Sequence, residues 1–187
     1  VKSFFNNVLE LLRTHDEIEK LKVFRIYRDV RFSKNKTAYK HNFSASFSRA
    51  GQHRRGGYYL QIEPGNSFIV TGFWNPEKND LLRIRKEWEI DTSDLVDIID
   101  NEKFKKVWGP LVGDELKTAP KGFDKEDPNI EFIRKKQFIF VKSFTDKEVL
   151  TNDFAKQVND CFVTIRPYFD LMSNILTTNL NGESLLD

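Results

Sequence analysis

The chain has 187 residues, 39% hydrophobic and 31% charged, with a net charge of +2, a single cysteine and seventeen phenylalanines. That length supports a sizeable apolar core; the longest apolar runs span only a few residues, which excludes a membrane-spanning helix. One cysteine, Cys161, excludes an internal disulfide and fits a reducing cytoplasm.

Phe4, Phe5, Val8, Leu9 and Leu12 recur at helical spacing, which predicts an amphipathic helix over residues 3–14. Phe24, Ile26, Val30 and Phe32 alternate with Arg25, Tyr27, Asp29 and Arg31, which predicts an extended segment. In that register Arg28 falls on the apolar side, where a guanidinium needs a carboxylate or several carbonyls. Phe43, Ala45 and Phe47 alternate with serines, the pattern of a half-buried strand with the aromatics facing the core. A hairpin follows: residues 58–63 and 68–74 flank Glu63-Pro64-Gly65-Asn66, where Pro presets φ and Gly supplies the positive φ of a type II turn. Between these strands, Arg54-Arg55-Gly56-Gly57 predicts a flexible basic loop.

Helical patterns then take over. Asn75-Pro76 predicts an N-cap and first helical residue, with Leu81, Leu82, Ile84, Trp88 and Ile90 as the buried stripe. Thr92 or Ser93 caps a second helix carrying Leu95, Ile98 and Ile99. Residues 108–128, punctuated by Gly and Pro, predict irregular chain. Residues 138–144 read as a strand, and Thr151 caps a long helix through Phe154, Val158, Phe162 and Ile165, with a kink expected at Pro167. Strands first and helices afterwards predict an α+β fold: an antiparallel sheet with helices packed mainly on one face, as a single domain over residues 3–175 with a frayed tail at 176–187.

Charge is distributed unevenly. Residues 20–55 hold eleven Lys and Arg against one acid, Asp29, which leaves the rest of the chain acidic. Such asymmetry attracts anions; it is equally the pattern of a basic face that pairs with its own acidic remainder. Arg25, Arg28 and Arg31 stand at three-residue steps around Asp29, with Lys36 and Tyr39 behind them. Arginine presents a planar fork matched to phosphate and carboxylate, Lys a point charge and Tyr a hydroxyl. Two explanations stay open: an anion pocket in which Asp29 orients the guanidiniums, or a buried Arg28–Asp29 network that locks the fold. Lys117 and Lys121, beside Pro120 and Gly122, are a second cationic candidate.

Other chemistry has less support. His15, His41 and His53 lack metal-ligand spacing, so no metal and no cofactor is expected. Cys161 sits among the apolar positions of its helix, and the sequence contains no Gly-x-Ser-x-Gly elbow, P-loop or dinucleotide fingerprint. Nucleic acid is a third alternative, because Phe43, Phe47, Tyr58 and Tyr59 interleave with a basic region.

The motif Arg25-x-x-Arg28-Asp29-x-Arg31-Phe32, followed by Asn35-Lys36 and Tyr39, resembles the signature of a mainly bacterial family of conserved hypothetical proteins, domain of unknown function 2461. Gly57-Tyr58-Tyr59, Ile62-Glu63-Pro64-Gly65, Gly72 to Trp74, Leu82-x-Ile84-Arg85, Leu116-Lys117-x-x-Pro120-Lys121-Gly122-Phe123 and Arg166-Pro167 continue the resemblance in order, from about residue 3 to 172. Members usually begin with an Asn-rich stretch containing a Trp-Phe pair, which is absent here; Met occurs only at Met172, so a preceding segment is expected. Ala38 stands where Pro is common, and Phe123 where Tyr is common. The resemblance implies a fold and a candidate site but no activity. Because its motifs are the basic 25–39 run and the 117–123 loop, it implies an anion site formed by Arg25, Arg28, Asp29, Arg31, Lys36, Tyr39, Lys117 and Lys121. The expected partner is a small phosphate or carboxylate compound.

Overall fold

A computed structural model describes residues 1–27, 37 and 39–186. The elements run α1 (Lys2–Leu12), β1 (Ile18–Val23), β2 (Phe43–Arg49), β3 (Gly57–Ile62), β4 (Ser67–Phe73), α2 (Lys78–Ile90), α3 (Ser93–Asp100), α4 (Glu102–Trp108), α5 (Ile130–Ile133), β5 (Phe138–Phe144), α6 (Asp146–Val149), α7 (Phe154–Thr164) and α8 (Arg166–Thr177). The strands form one antiparallel sheet in the order β1-β2-β3-β4-β5, so the fold is α+β. The described chain groups into two compact units.

The first unit comprises Val1–Ala50, Gly57–Val70 and Lys142–Val163. Here α1 buries Phe5, Val8, Leu9 and Leu12, the i, i+3, i+4, i+7 stripe its spacing predicts. β1 pairs with β2 and β2 with β3, setting Leu21 opposite Phe47 and Phe47 opposite Tyr58. Phe162 of α7 closes over that face, with its ring 6.4 Å from Phe47 and 4.7 Å from Tyr58. At the other end of α7, Phe154 stacks on Phe4 and meets Phe144 edge-on. The hairpin turn forms as its residues dictate: Asn66 donates to the Glu63 carbonyl at 2.9 Å, and Gly65 takes φ +72°.

The second unit comprises Gly51–Gly56, Thr71–Val141 and Thr164–Asp187. Its core is a chain of aromatic edges: Trp88 on Phe138, Phe104 on Phe140, and Phe140 on Tyr168, each pair within 5.0 Å between centroids. The fully buried Tyr168 hydroxyl donates to the Phe138 carbonyl, and burial pushes its pKa well up. Gly72 is required here. A Cβ at that position would lie 2.2 Å from the Phe138 carbonyl oxygen, and its φ is +124°.

Several local expectations change. A strand not expected from the sequence, Ile18–Val23, comes first; a register irregularity between Ile18 and Lys20 breaks its alternation. Of the extended segment expected after it, residues 28–32 lie outside the described residues. Phe43 is 41% exposed although it alternates with Ala45 and Phe47, because it sits at the strand end beyond the packed aromatics. α2 begins at Lys78, two residues after Pro76, and leaves Leu82 and Ile90 exposed while Ile84 and Trp88 are buried. The loop with Arg54 and Arg55 is tied down: Arg55 pairs with Asp80, and its amide donates to Ser173 Oγ. The long C-terminal helix is two helices, with Ile165 between them and Pro167 in the first turn of α8, where its missing N–H costs nothing.

Candidate functional site

Chain geometry at the end of β1 builds the candidate site in the first unit. Phe24 still pairs with the sheet, its amide donating to the Ser44 carbonyl at 2.9 Å. Beyond it Tyr27 and Tyr39 form an isolated antiparallel bridge, and Lys40 donates to the Ile26 carbonyl at 2.7 Å. The two tyrosine rings lie 5.2 Å apart, yet both remain largely in solvent, at 63% and 54% exposure. Large aromatic rings left this exposed together are uncommon without a binding role.

Arg25 is exposed beside them. Its guanidinium and the two phenols have no hydrogen-bond partner among the described residues. Arg25 lines an open recess of about 480 Å³ whose walls include Val23, Phe24, Ile26 and Phe43, with Lys2 and Tyr27 contributing polar groups. A cation above an apolar wall suits an anion that carries a hydrocarbon body better than a bare inorganic ion. Arg28, Asp29, Arg31 and Lys36, which the sequence sets between the two tyrosines, lie outside the described residues.

Lys117 and Lys121 belong to the second unit, where both are exposed. Their turn is anchored rather than loose: Pro120 is buried, Phe123 donates to its carbonyl at 3.1 Å, and Lys86 Nζ lies 4.6 Å from the Phe123 ring centroid.

Sequence reasoning missed the ion pair that is buried. Asp16, just after α1, accepts from Arg49 Nε at 2.7 Å, Arg49 Nη2 at 3.3 Å, the Tyr58 hydroxyl at 2.6 Å and the Glu17 amide at 2.9 Å. The Arg49 and Asp16 side chains are 2% and 0% exposed. Nearby, His15 Nε2 meets Asn159 Oδ1 at 3.0 Å. A signal was available. Arg49 continues the odd-numbered face that buries Ala45 and Phe47, so the alternation carries a guanidinium inside. Arg85, part of the family-like pattern, is also structural: it donates to the Ile133 and Lys135 carbonyls at 2.7 and 3.0 Å, and burial lowers its pKa.

Burial pushes the Cys161 thiol up to about 11, so at neutral pH it is a thiol and a poor nucleophile. Among the described residues no three His, Cys, Asp or Glu side chains cluster to hold a metal. No described helix is long and apolar enough to cross a membrane.

The chain belongs to the conserved hypothetical protein family DUF2461, whose model matches residues 1–171. No curated protein and no solved structure matches it.

Proposed function

We propose, on the premise of that family membership, that this chain binds a small organic anion and that Arg25 with the Tyr27–Tyr39 pair belongs to the binding site. The observation that carries this reading is the exposed Arg25 guanidinium, without a partner among the described residues, at the edge of an apolar recess. In the sequence Arg28, Arg31 and Lys36 add three cations within eleven positions of Arg25, and Asp29 is the carboxylate that would orient them. A phosphate or carboxylate head would take the arginine forks while its hydrocarbon part covers Phe24, Ile26 and Phe43. The described residues named for it belong to the first unit, and Lys117 and Lys121 to the second.

Calorimetric and thermal titration of the whole chain with phenyl phosphate, benzoate, citrate and inorganic phosphate tests the proposal. A ligand at a hundred times its Kd stabilises by about 2.7 kcal/mol, roughly 5–10 °C for a chain of this size. The expected result is saturable binding of an organic anion, weakened at least about tenfold in Arg25→Gln with an unchanged melting point of the unliganded protein. Equal affinity in Arg25→Gln, or no saturable binding by any of the four, overturns it.

A second reading, single-stranded nucleic acid, draws on Lys22 above the Phe24 ring at 5.2 Å and on the row Phe24–Tyr59–Phe68, with neighbouring rings about 6 Å apart. These rings are half-buried against one another, which leaves less surface for bases to stack on. Oligothymidylate in the same titration separates the two. Strand binding falls with salt in proportion to the several phosphates contacted, whereas a single anion gives a shallow slope.

A further inference from the structure

A second pocket, of about 680 Å³, lies within the second unit and shares no residue with the recess at Arg25. Its volume is in the range of roughly 300–1,000 Å³ typical of small-molecule sites. Ile99, Leu111 and Phe132 provide apolar walls. Lys105 and Asp100 on its rim neutralise each other at 2.7 Å.

The remaining charged groups, two cations and two carboxylates, balance in sum but are not paired one to one. Segment 112–116 runs antiparallel to 134–139 through bridges Val112↔Ile139 and Glu115↔Lys135, which sets Glu115 opposite Lys135. The close approach needs Gly113, because a Cβ there would meet Gln137 at 2.7 Å. Glu115 is then shared by two cations, Lys135 Nζ at 3.2 Å and Arg134 Nη2 at 3.5 Å. The second contact is at the limit of a hydrogen bond. Arg134 Nε is buried with no hydrogen-bond partner among the described residues. One positive charge is therefore in surplus at this corner. Glu131, one helical turn before Arg134 on α5, lines the same pocket and has no ion pair among the described residues. That is a surplus negative charge.

This corner is also held in place. Arg85 donates to the Ile133 and Lys135 carbonyls on either side of Arg134, and Leu116 donates to the Arg134 carbonyl at 2.8 Å. Preorganised charges on pinned backbone are what a ligand site requires.

We infer that this pocket binds a small zwitterion with an apolar side chain, the class to which free apolar amino acids belong. The carboxylate goes to Arg134 and Lys135, the ammonium to Glu131, and the side chain to Ile99, Leu111 and Phe132. A bare anion would be repelled by Glu131 and a bare amine by the Arg134–Lys135 pair, so the lining selects a molecule carrying both charges.

Calorimetry on the whole chain with L-leucine, L-phenylalanine, phenylacetate and phenethylamine tests this. Saturable binding of an apolar amino acid is expected, with phenylacetate and phenethylamine each at least about tenfold weaker, the equivalent of one lost charge-assisted hydrogen bond. Arg134→Gln and Glu131→Gln should each weaken the amino acid by a similar factor. Ile99→Trp should abolish its binding by filling the pocket. Circular dichroism verifies that each variant is folded; Glu131 is exposed, so its variant tests the charge without disturbing the core. Arg25→Gln should leave amino-acid binding unchanged, which keeps this site's failure separate from that of the first. No saturable binding of either amino acid, equal affinity for phenylacetate, or unchanged affinity in Arg134→Gln overturns the inference.

Discussion

Replacing Asp16 by Ala should be among the most damaging single substitutions in this chain. The carboxylate is fully buried and accepts from Arg49 Nε and Nη2, the Tyr58 hydroxyl and the Glu17 amide, so that each oxygen is engaged at least twice. Its removal takes this carboxylate away from a guanidinium that is 2% exposed. Breaking a buried pair on one side costs about 3–5 kcal/mol, a third or more of the stability of many domains. Tyr58→Phe deletes only one charge-assisted bond and should cost about 1.5–3 kcal/mol. The double replacement Asp16→Leu with Arg49→Met removes both charges together, so it should be less harmful than Asp16→Ala alone. Urea unfolding measures all three, with the midpoint moving at constant slope; the thermal shift for Asp16→Ala should be about 6–20 °C. Loss of under about 1 kcal/mol in Asp16→Ala, or a double variant less stable than Asp16→Ala, would refute the assignment of this network as the buried lock.

Two further substitutions and one titration follow from the geometry. Gly72→Ala forces a Cβ to 2.2 Å from a backbone oxygen at φ +124°, and should cost at least about 2 kcal/mol in urea unfolding. Gly65→Ala, with φ +72° and open space around it, should cost only about 1 kcal/mol; the reverse order would contradict the strand contact. For Cys161, burial raises the folded-state pKa to about 11, so its contribution to stability is complete below the unfolded value near 9 and is lost as pH rises towards 11. A thiol-specific reagent at pH 7 should label it slowly in the native protein and readily in urea, and the alkaline loss should shrink in Cys161→Ala; rapid native labelling would refute the buried assignment.

Much of the fold was legible because local chemistry and tertiary demand agree. The hairpin at Pro64-Gly65, the strand at Phe138–Phe144 and the stripe of α1 each follow from residues that can do little else. Where the two diverge, the pattern misleads. β1 carries exposed Glu19, Lys20 and Lys22, and its register shifts between Ile18 and Lys20, so the alternation is broken and a strand looks like a polar linker. α4 is missed because its start signal is a lone Asn101, whose side chain accepts from the Lys103 and Phe104 amides inside a stretch rich in charge.

The candidate site divides along the same line. A cluster of cations close together in sequence is visible to composition, which is why Arg25 stands out; a pair formed across thirty-three positions is not, which is why Asp16–Arg49 does not. Yet burial by alternation is a local property, and β2 displays it. Ala45 and Phe47 point inward, so Arg49 must as well, and an inward arginine demands a carboxylate from elsewhere in the chain. The demand is readable from one strand; the identity of the carboxylate is not, because it depends on how the end of α1 is delivered to that strand. The Arg28–Asp29 network, one of the two explanations the sequence leaves open, lies outside the described residues; a buried pair of that kind stands at Asp16–Arg49, while the Arg25 guanidinium stands at a recess.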